Sequence, residues 1–201
     1  MWNAILRPCL VCFVILAVLT GIAYPMLMTG AAQLLFPHQA NGSLITSDGK
    51  PAAHASQAAG SALIGQSFAG KGYFWSRLSA TSPAYNADGS SGSNFGPTSP
   101  NLLSEVTGAV GALELADPKN KKPIPIDLVT SSASGLDPDI SPASAYYQVG
   151  RVARARHLSR GAVKALVAQC VRGRWLGVFG AAHVNVLRLN MRLNKLSAMR
   201  H

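Results

Sequence analysis

The sequence predicts an α+β protein with one N-terminal transmembrane helix followed by a single extracytoplasmic α+β domain. Three observations lead there. Between Pro8 and Ser47 there is no Asp, Glu, Lys or Arg, and most of that stretch is apolar. Beyond it, segments with helical spacing mix with short apolar runs that read as strands, without the regular rhythm of a parallel α/β sheet. A hydrophobic content of 48% over 201 residues suffices for a packed core and argues against wholesale disorder.

The anchor runs from Cys9 through Leu19 and on past Ile22, Met26, Leu27, Leu34 and Phe36. A helix crosses the ~30 Å hydrocarbon core with about 20 apolar residues, and this segment exceeds that. A cleaved signal peptide has an apolar region of about 7–15 residues and then a small-x-small site. Here Tyr24-Pro25-Met26 stands where such a site belongs. A buried core helix is usually shorter and carries a polar face. No second span follows, so residues 1–36 read as the anchor and 37–201 as the domain. Arg7 flanks the near end, whereas the far end has no Lys or Arg before Lys50. The positive-inside rule then keeps the N-terminus cytoplasmic and exports the domain. Small and polar residues mark a helix-packing face at Ala17, Thr20, Gly21, Tyr24 and Pro25, with Gln33 further along.

About 165 residues remain for one domain of ordinary size. Cys9 and Cys12 lie in the apolar helix and Cys170 is alone, so no disulfide framework is expected. The net charge is +10, and no acid follows Asp139, whereas basic residues run from Arg151 to Arg200. Such a surface suits anionic headgroups or a partner with an acidic rim, the plain alternative being a solvated face. Nucleic acid fits an exported domain poorly.

Element by element, Ser43-Leu44-Ile45 reads as a strand, residues 51–60 as a linker and residues 61–68 as β. Tyr73-Phe74-Trp75 is an aromatic cluster, and Ser76 to Asn101 is a long Ser/Gly/Pro/Asn loop. Loops of that length are usually functional or disordered. Leu102, Val106, Val110 and Leu113 have helical spacing, and Ile126 to Thr130 reads as a strand. Ser141-Pro142 starts a helix running to about Arg156, and Ser159 caps another whose stripe is Val163, Leu166 and Val167. Val184-Asn185-Val186 and the alternating tail to Leu193 read as strand.

Catalytic chemistry is sought and not found. Residues 60–67 have the glycine spacing of a phosphate-binding loop, but Gln66 stands where the lysine belongs. The five histidines show no metal spacing, and no G-x-S-x-G elbow occurs. Asp137 and Asp139 flank a turn and precede the Ser141 cap, which suits turn formation and the helix dipole. The residues thus describe a non-catalytic accessory subunit. A membrane-tethered extracytoplasmic binding or chaperone protein acting alone is the second reading.

Several blocks together resemble one bacterial family, the C subunit of the Kdp potassium-transporting P-type ATPase. They begin with Thr20-Gly21-Ile22-Ala23-Tyr24-Pro25, Gln39-Ala40-Asn41-Gly42 and Gly60-Ser61-Ala62-Leu63-Ile64-Gly65-Gln66. They continue with Tyr85-Asn86, Gly92-Ser93-Asn94, Asp127-Leu128-Val129-Thr130, Ser134-Gly135-Leu136-Asp137-Pro138 and Val184-Asn185-Val186-Leu187. The resemblance implies an accessory, non-catalytic subunit of an inner-membrane potassium uptake complex. Its partners would be a channel-like potassium-translocating subunit, an ATP-hydrolysing P-type subunit and a small single-helix subunit. It further implies a catalytic chaperone that raises the ATP affinity of the hydrolysing subunit, with ATP as the only ligand suggested. The loop and turn text places docking at Asn86, Gly92, Ser93, Asn94, Gly135 and Asp137, on a periplasmic domain. Where family members usually carry Gly-Glu-Pro-Arg, this chain has Gly180-Ala181-Ala182-His183.

Overall fold

The computed structural model describes residues 2–199, which form two compact units divided between Ser43 and Leu44. In the first, α1 (Trp2–Val18), a π-helical turn (Leu19–Ala23) and α2 (Tyr24–Leu35) make one helical run, followed by the short α3 (Pro37–Ala40). From Ala4 to Leu35 the run has 32 residues, long and apolar enough to cross a membrane. The π-turn has a local cause. Pro25 has no N–H to offer and its ring crowds the carbonyl four residues back, so the helix widens just before it. The Tyr24 N–H accordingly reaches the Leu19 carbonyl. After α2, Asn41 bonds the Pro37 carbonyl at 2.7 Å and the Gln33 side chain at 3.1 Å, which ties off the exit of the helix.

The second unit is helix-rich. Its elements are β1 (Leu44–Ile45), β2 (Gly60–Ser61), α4 (Pro100–Ala116), β3 (Asp139–Ile140), α5 (Pro142–Ala155), α6 (Arg160–Cys170), β4 (Val184–Asn185) and α7 (Val186–Ala198). β1 pairs antiparallel with β2, and β3 antiparallel with β4 in the register Asp139↔Asn185 and Ile140↔Val184. The main core lies among α5, α6 and α7, where Val149, Val152, Val163, Val167, Leu189 and Leu193 surround Phe74 and Ile140. Each such side chain contributes roughly 1.5–3 kcal/mol by leaving water. A second cluster joins α4 to α5 through Leu113, Leu128, Val129 and Tyr147.

The helix starts follow the chain's capping chemistry. Ser141 accepts from the Ser144 N–H at 3.1 Å and Ser159 from the Ala162 N–H at 3.2 Å, as predicted. α4 covers the predicted apolar positions from Leu102 to Leu113.

Several strand expectations are corrected. Ile126–Leu128 is a 3-10 turn, and it turns Asp127 toward the start of α5. There the carboxylate accepts from the Ser141 N–H at 2.8 Å and from the Ser144 hydroxyl at 2.5 Å. Thus Asp127, rather than Asp137 or Asp139, serves that helix N-terminus. Residues 186–193 form helix α7, not strand, because the Asn185 side chain caps the Arg188 N–H at 3.1 Å. Val186, Leu189 and Leu193 then recur at helical spacing on the buried face. Of the expected 61–68 strand only Ser61 pairs, together with Gly60 just before it. The 51–60 stretch is tied in rather than free, with the Ala52 N–H on Leu44 and the Ala59 N–H on Ile45.

The aromatic cluster divides. Phe74 enters the main core fully buried, whereas Trp75 packs on the second cluster. Nor is the whole basic C-terminal third a surface. Arg151 is only 4% exposed; it donates to the Lys71 carbonyl and to Gln148 Oε1, each at 2.6 Å, and lies over Trp75. Burial lowers its pKa to about 10, so it keeps its charge at neutral pH.

Candidate docking surface

From Ser76 to Ser99 the predicted loop contains no helix or named strand, its last two residues opening α4, and between Arg77 and Ser93 it is pinned to the 131–138 segment. Arg77 forms an ion pair with Asp137 at 3.1 Å and donates to the Ser131 carbonyl at 3.3 Å. Ser79 Oγ donates to the Gly135 carbonyl at 2.6 Å and accepts from the Tyr85 N–H at 2.9 Å. The Tyr85 hydroxyl donates to the Arg77 carbonyl. Burial raises the Tyr85 pKa, which keeps that hydroxyl a proton donor. Farther along, the Ser91 N–H meets the Ser134 carbonyl at 3.0 Å, and Ser131 donates to Ser93 at 3.1 Å. Contacts between residues 38 to 60 positions apart thus join the two segments into one surface.

Glycine is required at two of these crossings. Gly135 has φ +67°, and a Cβ there would stand 2.6 Å from the Ser91 carbonyl oxygen. A Cβ on Gly92 would stand 2.7 Å from the Ala133 carbonyl oxygen. Of the six residues the sequence proposes for docking, Gly135 is buried and Asn94 is exposed. Asn86, Gly92, Ser93 and Asp137 are half-buried. Asn94 has φ +53°, and its amide donates to the Gly92 carbonyl at 3.2 Å, while Asn86 Oδ1 accepts from the Asp88 N–H at 3.1 Å. Apart from the Arg77–Asp137 pair, the rim carries little charge, and Phe95 stands partly exposed in it.

On the helical unit, Ala17, Thr20, Gly21, Tyr24 and Pro25 are all exposed. Thr20 Oγ1 donates to its own helix at the Leu16 carbonyl, 2.7 Å away, and nothing lies within 4 Å of a Cβ placed on Gly21. The loop from Gly60 to Ser67 leads into no helix, and Gln66 folds back to donate to the Ala59 carbonyl at 3.1 Å. A Cβ on Gly60 would collide with that amide. Among the described residues no group of three or more His, Cys, Asp or Glu is placed to hold a metal.

Sequence reasoning missed two buried amides that position this surface. Gln148 pairs with the backbone of Trp75, accepting at 2.7 Å and donating at 3.1 Å, while Asn190 does the same for Phe74. Together they hold the strand-like approach to Ser76. Only a polar residue on an otherwise apolar helix face hints at such a role in the sequence.

The family model described as "KdpC: K+-transporting ATPase, c chain" matches residues 6–195. The chain belongs to the KdpC family. A potassium-transporting ATPase KdpC subunit of Polaromonas naphthalenivorans is 57% identical over 193 residues, covering 96% of this chain and 95% of the relative. That of Paraburkholderia xenovorans is 56% identical over 191 residues, covering 94% and 96%. The Burkholderia cenocepacia subunit is 55% identical over 197 residues, covering 98% of each. KdpC membership makes the chain an accessory subunit of a potassium-transporting ATPase, and its apolar helix is consistent with a membrane location.

Proposed function

We propose that the chain anchors in the inner membrane by its N-terminal helix, with the N-terminus cytoplasmic and the domain periplasmic. There it docks on the exported face of the channel-like potassium-translocating subunit and holds that subunit in one complex with the ATP-hydrolysing P-type subunit and the small single-helix subunit. The observation that carries the docking assignment is the convergence of the 76–101 loop with the 131–138 turn. A loop surface held rigid by a scaffold is where recognition commonly resides. Raised ATP affinity of the hydrolysing subunit then follows from assembly rather than from direct nucleotide contact. The closed loop around Gln66 supports that part of the reading.

The test replaces Asn94 by Gly, which tolerates φ +53° without strain, together with Asn86→Ala. Loss of two polar contacts at a docking hot spot is expected to weaken retention in the complex on the order of tenfold. Potassium uptake at micromolar potassium falls accordingly, while the domain's circular dichroism is unchanged. Normal growth of the double variant at that concentration defeats the assignment.

A further inference from the structure

Between Arg172 and His183 the chain leaves the core as a narrow hairpin. Its base is closed by reciprocal bonds between Arg172 and His183 at 2.9 and 3.0 Å, and its tip by reciprocal bonds between Trp175 and Phe179 at 2.9 Å. The tip presents Trp175, Leu176, Val178 and Phe179, which are 60–73% exposed. The Trp175 and Phe179 rings lie 5.7 Å apart. Such a contiguous apolar protrusion marks a surface meant to be covered.

At the base of the hairpin is a pocket of about 270 Å³ into which Arg172, Arg188, Arg192 and Lys195 converge. Lys195 is held by the Asp48 carbonyl at 2.6 Å, and Arg192 leans on the Gln169 carbonyl at 3.5 Å. Asp48 also lines the pocket, and Asp139 is close enough to act on Arg188. Burial, followed by repulsion from Arg172 and Arg192 and opposed by Asp139, lowers the Arg188 pKa.

We propose that the hairpin and the pocket together dock on an anionic phospholipid bilayer, the tip in the interface and a headgroup phosphate among the four cations. Aromatic and aliphatic side chains flanked by arginines are the composition that seats at a lipid–water boundary. The chain that ties the domain to the apolar helix is short. From Leu35 at the end of α2 to Leu44 at the start of β1, the chain spans at most about 32 Å when fully extended. This inference does not rest on docking by the 76–101 loop.

The test reconstitutes the full chain in nanodiscs whose lipids carry brominated acyl chains, which quench tryptophan at membrane depth. Trp2 and Trp75 are also present, so the emission lost in Trp175→Phe isolates the tip. With 30% phosphatidylglycerol, that emission is expected to be quenched at least twofold more than in pure phosphatidylcholine. Arg172→Gln with Arg188→Gln should lower partitioning about fivefold for each arginine removed. Leu176→Ser with Val178→Ser, at exposed positions outside the core, should also abolish quenching with the circular dichroism unchanged. Added inorganic phosphate should act no more strongly than chloride of equal ionic strength. Unquenched Trp175 in anionic discs overturns the proposal, as does equal quenching in both lipids. Selective release by phosphate, or burial of Trp175 against another subunit in the assembled complex, overturns it as well.

Discussion

Asn190 and Phe74 exchange two hydrogen bonds across 116 residues of chain: the side-chain oxygen accepts from the Phe74 N–H, and the side-chain amide donates to the Phe74 carbonyl, both at 2.9 Å. An amide on a helix thus does the work of a neighbouring β-strand. Phe74 is fully buried and Asn190 is 2% exposed, so no water can replace either bond. Gln148 repeats the arrangement one residue later at Trp75, and Arg151 secures Gln148 in turn. The route from the core to the loop surface therefore depends on polar side chains of α5 and α7.

Asn190→Leu keeps roughly the volume but leaves a buried N–H and a buried carbonyl unpaired. A destabilisation of about 2–4 kcal/mol is expected. Thermal unfolding of the purified full chain, followed by near-ultraviolet circular dichroism, measures it. An unchanged midpoint would show that the clamp carries no net stability.

Asp139 supplies a pH-dependent contrast. Its carboxyl is half-buried, and burial raises its pKa, opposed by the hydrogen bond from Asn185 and by His183 at 3.8 Å. The folded state thus binds this proton more tightly than the unfolded chain. The stability it contributes is fully present below the ordinary aspartate pKa of about 3.9 and is lost as pH rises through the folded value. Asp139→Asn retains the acceptor for Asn185 and removes that loss. The melting temperature of the variant relative to the parent should be higher at pH 7 than at pH 3, and the reverse order would contradict the assignment.

Gly21→Leu tests the helix face. Among the described residues nothing lies within 4 Å of a Cβ added there, so helix formation and membrane insertion are expected to persist. A bulky side chain keeps apart helix backbones that small residues allow to approach. Co-purification with the other subunits in stringent detergent should drop severalfold. Wild-type recovery would place this face against lipid.

The orientation is checked with a reporter fused after His201. Arg7 on one flank of the helix and the charge-free exit on the other predict activity of a reporter that works only in the periplasm. Activity of a reporter confined to the cytoplasm would reverse the topology and restore direct ATP contact as a possibility.

What could be read from the residues alone was local chemistry. A charge-free, mostly apolar run of more than 20 residues needs no partner to declare a helix long and apolar enough to cross a membrane. Ser141 and Ser159 cap the N–H groups three residues onward, an interaction complete within one turn. The spacing from Leu102 to Leu113 belongs to a single helix as well. The alternation after Val184 misled because period two and period 3.6 overlap over a few residues, and Asn185 decided between them by capping α7. Everything else waited on distant partners. Asp127 found its cap 14 residues away, Ser79 found Gly135 after 56, and Asn190 found Phe74 after 116. Arg151 reads as one more surface cation until folding buries it against Trp75 and the Lys71 carbonyl. A buried polar group must be paired, but which group pairs it is a property of the packed chain and of no segment within it.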